Sequence, residues 1–197
     1  MKIGLYGGTF DPPHNAHLAL ADWVQKKLEL EYIYFIPAAI HACKSNAGLS
    51  PAPLRLKLVE KAIENKGRFR VSHIEIDRKD ISYTVHTLQN FSKYEKLPDP
   101  DLYFIIGNDN LKDFHLWKDP EMILKLTKIV VIRRSAKDIE DVKSKYAQKV
   151  TFLESPIIDI SASEIRENIN RGHDVSELIP SSVLKLIDDY GLYREEK

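Results

Sequence analysis

The 197-residue sequence predicts an α/β protein with a mainly parallel sheet, and three observations carry that prediction. Short apolar runs suited to strands alternate with stretches of helical period along most of the chain, the pattern of repeated βα units. Two of the runs, residues 102–106 and 129–132, are continuously apolar, as strands covered by helices on both faces are. The first run, residues 2–6, passes through a glycine turn into a helix. That order gathers free backbone N–H groups and the positive end of a helix dipole in one place, which makes an anion site and most naturally a phosphate site.

In chain order, Ala16, Leu20, Val24 and Leu28 recur every fourth residue and mark one face of the first helix. Residues 32–36 read as a second strand closed by Pro37, and residues 38–50 as a loop too long for a plain connection. Small residues at Ala38, Ala39, Ala42, Ala47 and Gly48 make that loop a candidate lid. Ser50 as cap and Pro51 in the first turn predict a second helix running to Asn65 and Gly67. Residues 69–76 alternate as a strand, and residues 82–94 are helical, with Val85, Leu88 and Phe91 at helical spacing. Between the two continuous apolar runs lie short helices interrupted by Pro120. Residues 136–149 are dense in charge and predict a solvated helix, and residues 150–153 a last strand. From Ser161 onward the pattern is helical and ends with Val183, Ile187 and Tyr190 on one face. With no repeat, low-complexity tract or linker, residues 1–197 read as one unit, residues 155–197 being a helical portion packed on it.

Hydrophobic residues make up 43% of the chain and charged residues 29%, with 29 basic against 29 acidic side chains, as in a soluble globular protein. Zero net charge argues against broad nucleic-acid binding, so phosphate recognition must be local. Cys43 is the only cysteine, which rules out an intramolecular disulfide and suits a reducing compartment. No run approaches membrane length and the chain opens directly on a strand, so neither a span nor a signal peptide is expected, and the expected location is the cytoplasm.

Residues 7–17 read Gly-Gly-Thr-Phe-Asp-Pro-Pro-His-Asn-Ala-His. His14 and His17 are three apart at the helix start, share a face, and can donate to phosphate oxygens. Thr9 adds a hydroxyl, while Gly7 and Gly8 let the backbone approach a bulky ligand. The glycines are spaced wrongly for a dinucleotide fingerprint, no Walker lysine-serine pair follows, and His-x-x-His lacks a second metal-spaced pair, so no protein-held metal is expected. A second stretch, residues 160–166, reads Ile-Ser-Ala-Ser-Glu-Ile-Arg. Ser161 or Ser163 can cap a helix, and Ser163 and Arg166 fall on one face near its positive end; alone, this is a capping box with a surface arginine.

Residues 7–17 resemble the signature of the nucleotidyltransferase superfamily, histidine, any residue, glycine and histidine after a first strand, with Ala16 in place of the glycine. The resemblance implies a Rossmann-like, doubly wound fold in which ATP is attacked at its α-phosphorus. The serine-rich motif by which that superfamily holds the β- and γ-phosphates is matched by Ser161, Ser163 and Arg166. Residues 82–88 (Ser-Tyr-Thr-Val-His-Thr-Leu), residues 104–109 (Phe-Ile-Ile-Gly-Asn-Asp), Trp117, and the closing Leu178-Ile179-Pro180 and Gly191-Leu192-Tyr193 extend the likeness over nearly the whole chain to the bacterial nicotinate-nucleotide adenylyltransferases.

That family likeness implies that ATP and nicotinate mononucleotide form nicotinate adenine dinucleotide and pyrophosphate, for NAD. It implies catalytic roles for His14, His17, Lys44 and Arg166. On the ATP side it places Gly7, Gly8, Thr9, Phe10, His17, Gly107, Asp109, Arg134, Ile160, Ser161, Ser163 and Arg166. On the mononucleotide side it places Gly8, Thr9, Lys44, Thr84 and Trp117. An indole suits a flat nicotinate ring, and the segment around Thr84 can donate to its carboxylate, although by pattern alone Trp117 is a core aromatic and Thr84 a helix-start residue. Two further departures stand out: residues 40–44 read Ile-His-Ala-Cys-Lys where the family has Pro-His-Lys, and His86 stands where it generally has aspartate. Mg²⁺, bound mainly through the ATP phosphates, is the implied cofactor, and oligomeric state is left open, a homodimer included. The competing readings are transfer to another acceptor, nicotinamide mononucleotide or pantetheine phosphate, and a non-catalytic nucleotide-binding regulator of the same fold.

Overall fold

The computed structural model describes residues 1–42, 47–133, 145–156 and 158–194. Its first half runs β1 (Lys2–Gly8), α1 (Asn15–Leu28), β2 (Tyr32–Pro37), β3 (Ile40–His41), α2 (Ala52–Ile63), β4 (Phe69–Val71), α3 (Ile74–Arg78), β5 (Ile81–Ser82) and α4 (Thr84–Tyr94). The second half runs β6 (Asp101–Gly107), α5 (Asn108–Lys112), a 3₁₀ turn (Phe114–Leu116), α6 (Pro120–Leu126), β7 (Lys128–Arg133), a second 3₁₀ turn (Ala147–Lys149), β8 (Thr151–Glu154), α7 (Ala162–Asn170) and α8 (Ser181–Asp189). Six strands form one sheet in the order β4-β2-β1-β6-β7-β8, every neighbouring pair parallel, while β3 and β5 pair separately.

This is a Rossmann-like, doubly wound sheet. The chain walks outward from β1 through β2 to β4, then crosses to the other side of β1 and walks outward again through β6, β7 and β8. Strand order therefore reverses between β1 and β6, and a crevice opens at their carboxyl ends, the place where ligands bind in such sheets. Both faces are covered. Ala21 and Val24 of α1, Leu58 and Val59 of α2, Ile165 of α7 and Val183 and Ile187 of α8 pack on one face. Ile74 of α3, Val85, Leu88 and Phe91 of α4, Leu111 of α5 and Ile123 of α6 pack on the other.

The structure corrects several expectations. The ladder expected over residues 69–76 stops at Val71, and residues 74–78 are helical. Ile33 and Phe35 face β4, so the next rung would fall on Pro37, which has no N–H to give. Gly7 and Gly8 end β1 and are not turn residues; the left-handed conformation falls on Phe10, φ 50°. Ser50 does not cap α2, which starts at Ala52 with Pro51 as the cap and ends at Ile63. The N–H of Ser50 instead donates to Asp11 Oδ2 (3.0 Å) and its carbonyl accepts from Arg55 Nε (2.9 Å). Tyr190 is exposed and lies off the buried stripe of Val183 and Ile187. The helix expected over residues 136–149 lies mostly outside the described residues; its described end includes buried Tyr146, whose ring meets Phe114 edge-on at 5.0 Å. Among the described residues no helix is long and apolar enough to cross a membrane.

At Gly4 the sheet and the covering layer approach each other closely: an added Cβ would lie 2.8 Å from Leu30 Cδ1 and 2.9 Å from Ile33 Cγ1. Gly4→Ala should therefore destabilise the fold by about 1–3 kcal/mol, seen as a lower urea midpoint at unchanged slope.

Candidate active site

Two pockets adjoin at the carboxyl ends of β1 and β6. The larger, ≈ 630 Å³, is walled by residues 6–10, His14 and His17, residues 105–110, Ile132 and residues 158–162. The smaller, ≈ 290 Å³, is walled by Glu75, Ser82, Tyr83, Thr84, Trp117 and Lys118, among others. Gly7, Gly8, Ile106 and Asn110 line both, so the two lobes meet over the strand ends.

In the larger lobe His14 is the N-cap of α1, and its backbone N–H donates to His17 Nδ1 at 3.3 Å. With Nδ1 accepting, Nε2 is the ring nitrogen left to donate. The two imidazoles stack at 3.6 Å, and Phe10 backs His17 edge-on at 5.1 Å. Phe10 in turn meets Tyr6 at 5.7 Å and Phe35 at 5.5 Å, so the imidazole rests on an aromatic floor. Gly8 makes room for that floor, since an added Cβ would lie 3.0 Å from Phe10 Cζ. Ala16 is buried and α1 starts at Asn15, so the departure at this position leaves the helix start regular. Gly107 caps α5, Asp109 follows it, and Ile160 and Ser161 enter from the opposite wall, where Ser161 Oγ accepts from the Glu164 N–H at 3.2 Å.

Ser163 and Arg166 are not among the residues lining either lobe. Arg166 Nη1 donates to the Asp11 carbonyl at 2.7 Å, and Nη2 reaches Ser163 Oγ at 3.4 Å, which ties the arginine to the backbone of the loop of residues 9–14 between β1 and α1, the phosphate loop of the function proposed below. Lys44, Cys43 and Arg134 lie outside the described residues.

Sequence reasoning missed the groups that hold this loop. Arg55, 2% exposed, donates to the carbonyls of Thr9 (2.7 Å), Ala38 (2.7 Å), Ala39 (3.2 Å) and Ser50 (2.9 Å). Burial lowers its pKa, and the neighbouring Asp11 and Tyr193 oppose that shift. Asp11, 1% exposed, accepts from the Tyr193 hydroxyl at Oδ1 (2.6 Å). Burial, then the Asp11 charge and hydrogen bond, raise the Tyr193 pKa, so the phenol stays protonated. No local pattern announces these contacts, because most of the partners are distant in sequence.

In the smaller lobe Trp117 follows the first 3₁₀ turn, packed at 5.2 Å from Phe114 and edge-on at 6.2 Å from Phe104, so it belongs to the core and to the pocket wall alike. Thr84 opens α4 beside it. Lys118 Nζ sits 4.5 Å above the Tyr83 ring, and His86 meets the same ring edge-on at 5.5 Å. Glu75, hidden in the misread strand, is buried and accepts from Thr87 Oγ1 at 2.7 Å. Burial raises its pKa, while the hydroxyls of Thr87 and Ser82 and the charge of Arg78 pull the other way and Asp80 adds to the rise.

A doubly wound sheet with a ≈ 630 Å³ lobe at its switch point is the arrangement in which α/β proteins bind nucleotides, and comparison with known proteins gives the class: residues 5–168 match the family described as Cytidylyltransferase-like. The chain is 38% identical over 200 residues to the "Probable nicotinate-nucleotide adenylyltransferase" of Clostridium tetani, covering 98% of this chain and 99% of that protein. It is 37% identical to the protein of the same name from Dehalococcoides mccartyi, covering 100% of this chain and 98% of the other. Its fold is similar to that of the Plasmodium falciparum nicotinic acid mononucleotide adenylyltransferase complexed with NaAD, with TM-score 0.76, 20% identity and coverage of 98% and 97% of the two chains. The chain thus belongs to the cytidylyltransferase-like family and, within it, to the nicotinate-nucleotide adenylyltransferases.

Glu75 makes stability depend on pH. The native carboxyl binds its proton more tightly than the unfolded one, so stability is full below the ordinary glutamate pKa of about 4.3 and falls as pH rises through the raised native value. Glu75→Gln removes this loss, so its melting temperature relative to wild type should climb between about pH 4 and pH 7. Paired thermal melts check this; a difference that stays flat refutes it.

Proposed function

We propose that the chain is a cytoplasmic enzyme, acting as one catalytic unit over residues 1–197, that transfers the adenylyl group of ATP to nicotinate mononucleotide. The two-lobed cleft is the observation that supports this most. ATP fits the larger lobe and the mononucleotide ring the smaller, and the two phosphates then meet over Gly7 and Gly8, where the lobes share a wall.

An oxygen of the mononucleotide 5′-phosphate forms a bond to the α-phosphorus, and the bond from that phosphorus to the bridging oxygen breaks, releasing pyrophosphate. The nucleophile is already an anion, so no protein nucleophile or strong base is needed; catalysis is in-line placement and charge neutralisation. His17 donates through Nε2 to a reacting phosphate oxygen, with His14 stacked beside it. Lys44, Ser163 and Arg166 hold the departing pyrophosphate. Arg166 spends one N–H on Asp11 and has others to offer, as a guanidinium carries five. Gly107, Asp109, Ile160 and Ser161 line the lobe assigned to the adenosine, and the family likeness assigns Arg134 to the same side.

The residues fit a Mg²⁺ that arrives with ATP: Asp109 and Asp159 line the larger lobe, and among the described residues no three histidine, cysteine or carboxylate side chains group around a cation position. Bound there, the ion would neutralise phosphate charge. For the acceptor, Trp117 offers a face for the ring, Thr84 a hydroxyl and Lys118 a positive charge, which favours the carboxylate of nicotinate over the amide of nicotinamide.

Pyrophosphate release should require ATP and nicotinate mononucleotide together, and in competition the nicotinamide mononucleotide should lose; preference for the amide overturns the acceptor assignment. His17→Ala should lower kcat by about 10²–10³-fold. The same substitution removes the acceptor for the His14 N–H and should cost about 0.5–2 kcal/mol of stability, read by thermal melting alongside the rate.

A further inference from the structure

Asp11 lines neither lobe, yet three segments distant in sequence converge on it. Its Oδ1 accepts from the Tyr193 hydroxyl (2.6 Å), its Oδ2 from the Ser50 N–H (3.0 Å), and its backbone carbonyl from Arg166 Nη1 (2.7 Å). Tyr193 lies near the C-terminal end of the described chain, Ser50 is where the loop of residues 38–50 rejoins α2, and Arg166 projects from α7. Asp11 itself sits two residues after Thr9 and three before His14. The carboxylate is buried, so water does not replace a donor that is lost, and a buried acceptor left without one is costly. The phenol cannot swing away freely either, because Tyr193 packs against the core that α1 and α8 share.

We propose that Asp11 is a positioning residue for adenylyl transfer, holding the phosphate loop in register with the 38–50 loop and α7, and that Tyr193 locks it from the C-terminal segment. This rests on the function proposed above. In-line transfer is sensitive to displacements of about 1 Å, so a loosened loop slows the chemical step while the pockets that bind both substrates keep their walls.

The test compares Tyr193→Phe with Tyr190→Phe, which removes a hydroxyl at the same end of the chain that meets Lys57 (3.3 Å) and not Asp11. At a temperature where all variants are folded, Tyr193→Phe should lower kcat about tenfold, with KM for each substrate changed less than twofold. Tyr190→Phe should leave both parameters unchanged. Asp11→Asn keeps an acceptor for Ser50 and can donate to the Tyr193 oxygen, so it should retain most of the kcat that Asp11→Ala loses. Independently of turnover, amide hydrogen exchange at Ser50 should quicken in Tyr193→Phe and not in Tyr190→Phe. A wild-type kcat in Tyr193→Phe, or a melting temperature that falls with no change in kcat or exchange, overturns the proposal. Absence of wild-type turnover with ATP and nicotinate mononucleotide would instead sink the functional reading, and the exchange comparison would still decide whether Tyr193 holds the loop.

Discussion

Past the carboxyl end of β1 the chain leaves the sheet, and the planar fork of Arg55 takes over the work of the ladder. Its N–H groups reach carbonyls on the phosphate loop at Thr9, beyond β2 at Ala38 and Ala39, and ahead of α2 at Ser50. Hydrogen bonds from a charged donor contribute about 1.5–3 kcal/mol each, and lysine could not make this set, because an ammonium lacks the fork geometry. The buried cation has its counter-charge in Asp11, which binds the same loop from the other side. Residues 9–11 are thus tied by buried polar groups to Ala38, Ala39 and Ser50.

Much of the framework was legible in the sequence because its signals are local. Continuous apolar runs gave β6 and β7, four-residue spacing gave α1, and the order of strand, glycines and helix located the larger lobe. What stayed hidden was non-local. Arg55 looks like any helical arginine until the fold brings four carbonyls to it. Glu75 was concealed by an alternation that continues past Val71, and only the parity of β2, which sets Pro37 opposite the next rung, shows why the strand ends. At the C-terminus, helical spacing pointed to Tyr190, but the tyrosine three residues later turns inward, since α8 has already ended at Asp189. The bond from Arg166 to the Asp11 carbonyl has no trace in the spacing of residues 160–166.

The chemistry asks little of any one side chain. Two stacked imidazoles on an aromatic floor stand beside a strand end without side chains, and the proposed transfer needs from them placement and charge neutralisation only. In such a site precision of placement matters more than acidity or nucleophilicity, and this is why so many of the groups that hold it bind backbone carbonyls and not ligand.

The two lobes draw on different elements. The wall of the larger comes from the ends of β1, β6 and β7, the start of α1, α5 and residues 158–162, while α3, β5, α4 and the turn before Trp117 build much of the smaller. Gly7 and Gly8 between them carry no side chain, while Ile106 and Asn110 line both. Substitutions at Thr84, Trp117 or Lys118, which line the smaller lobe and not the larger, can therefore reshape the one without touching the wall of the other. A cleft divided in this way lets the smaller lobe vary in shape while the larger keeps its wall.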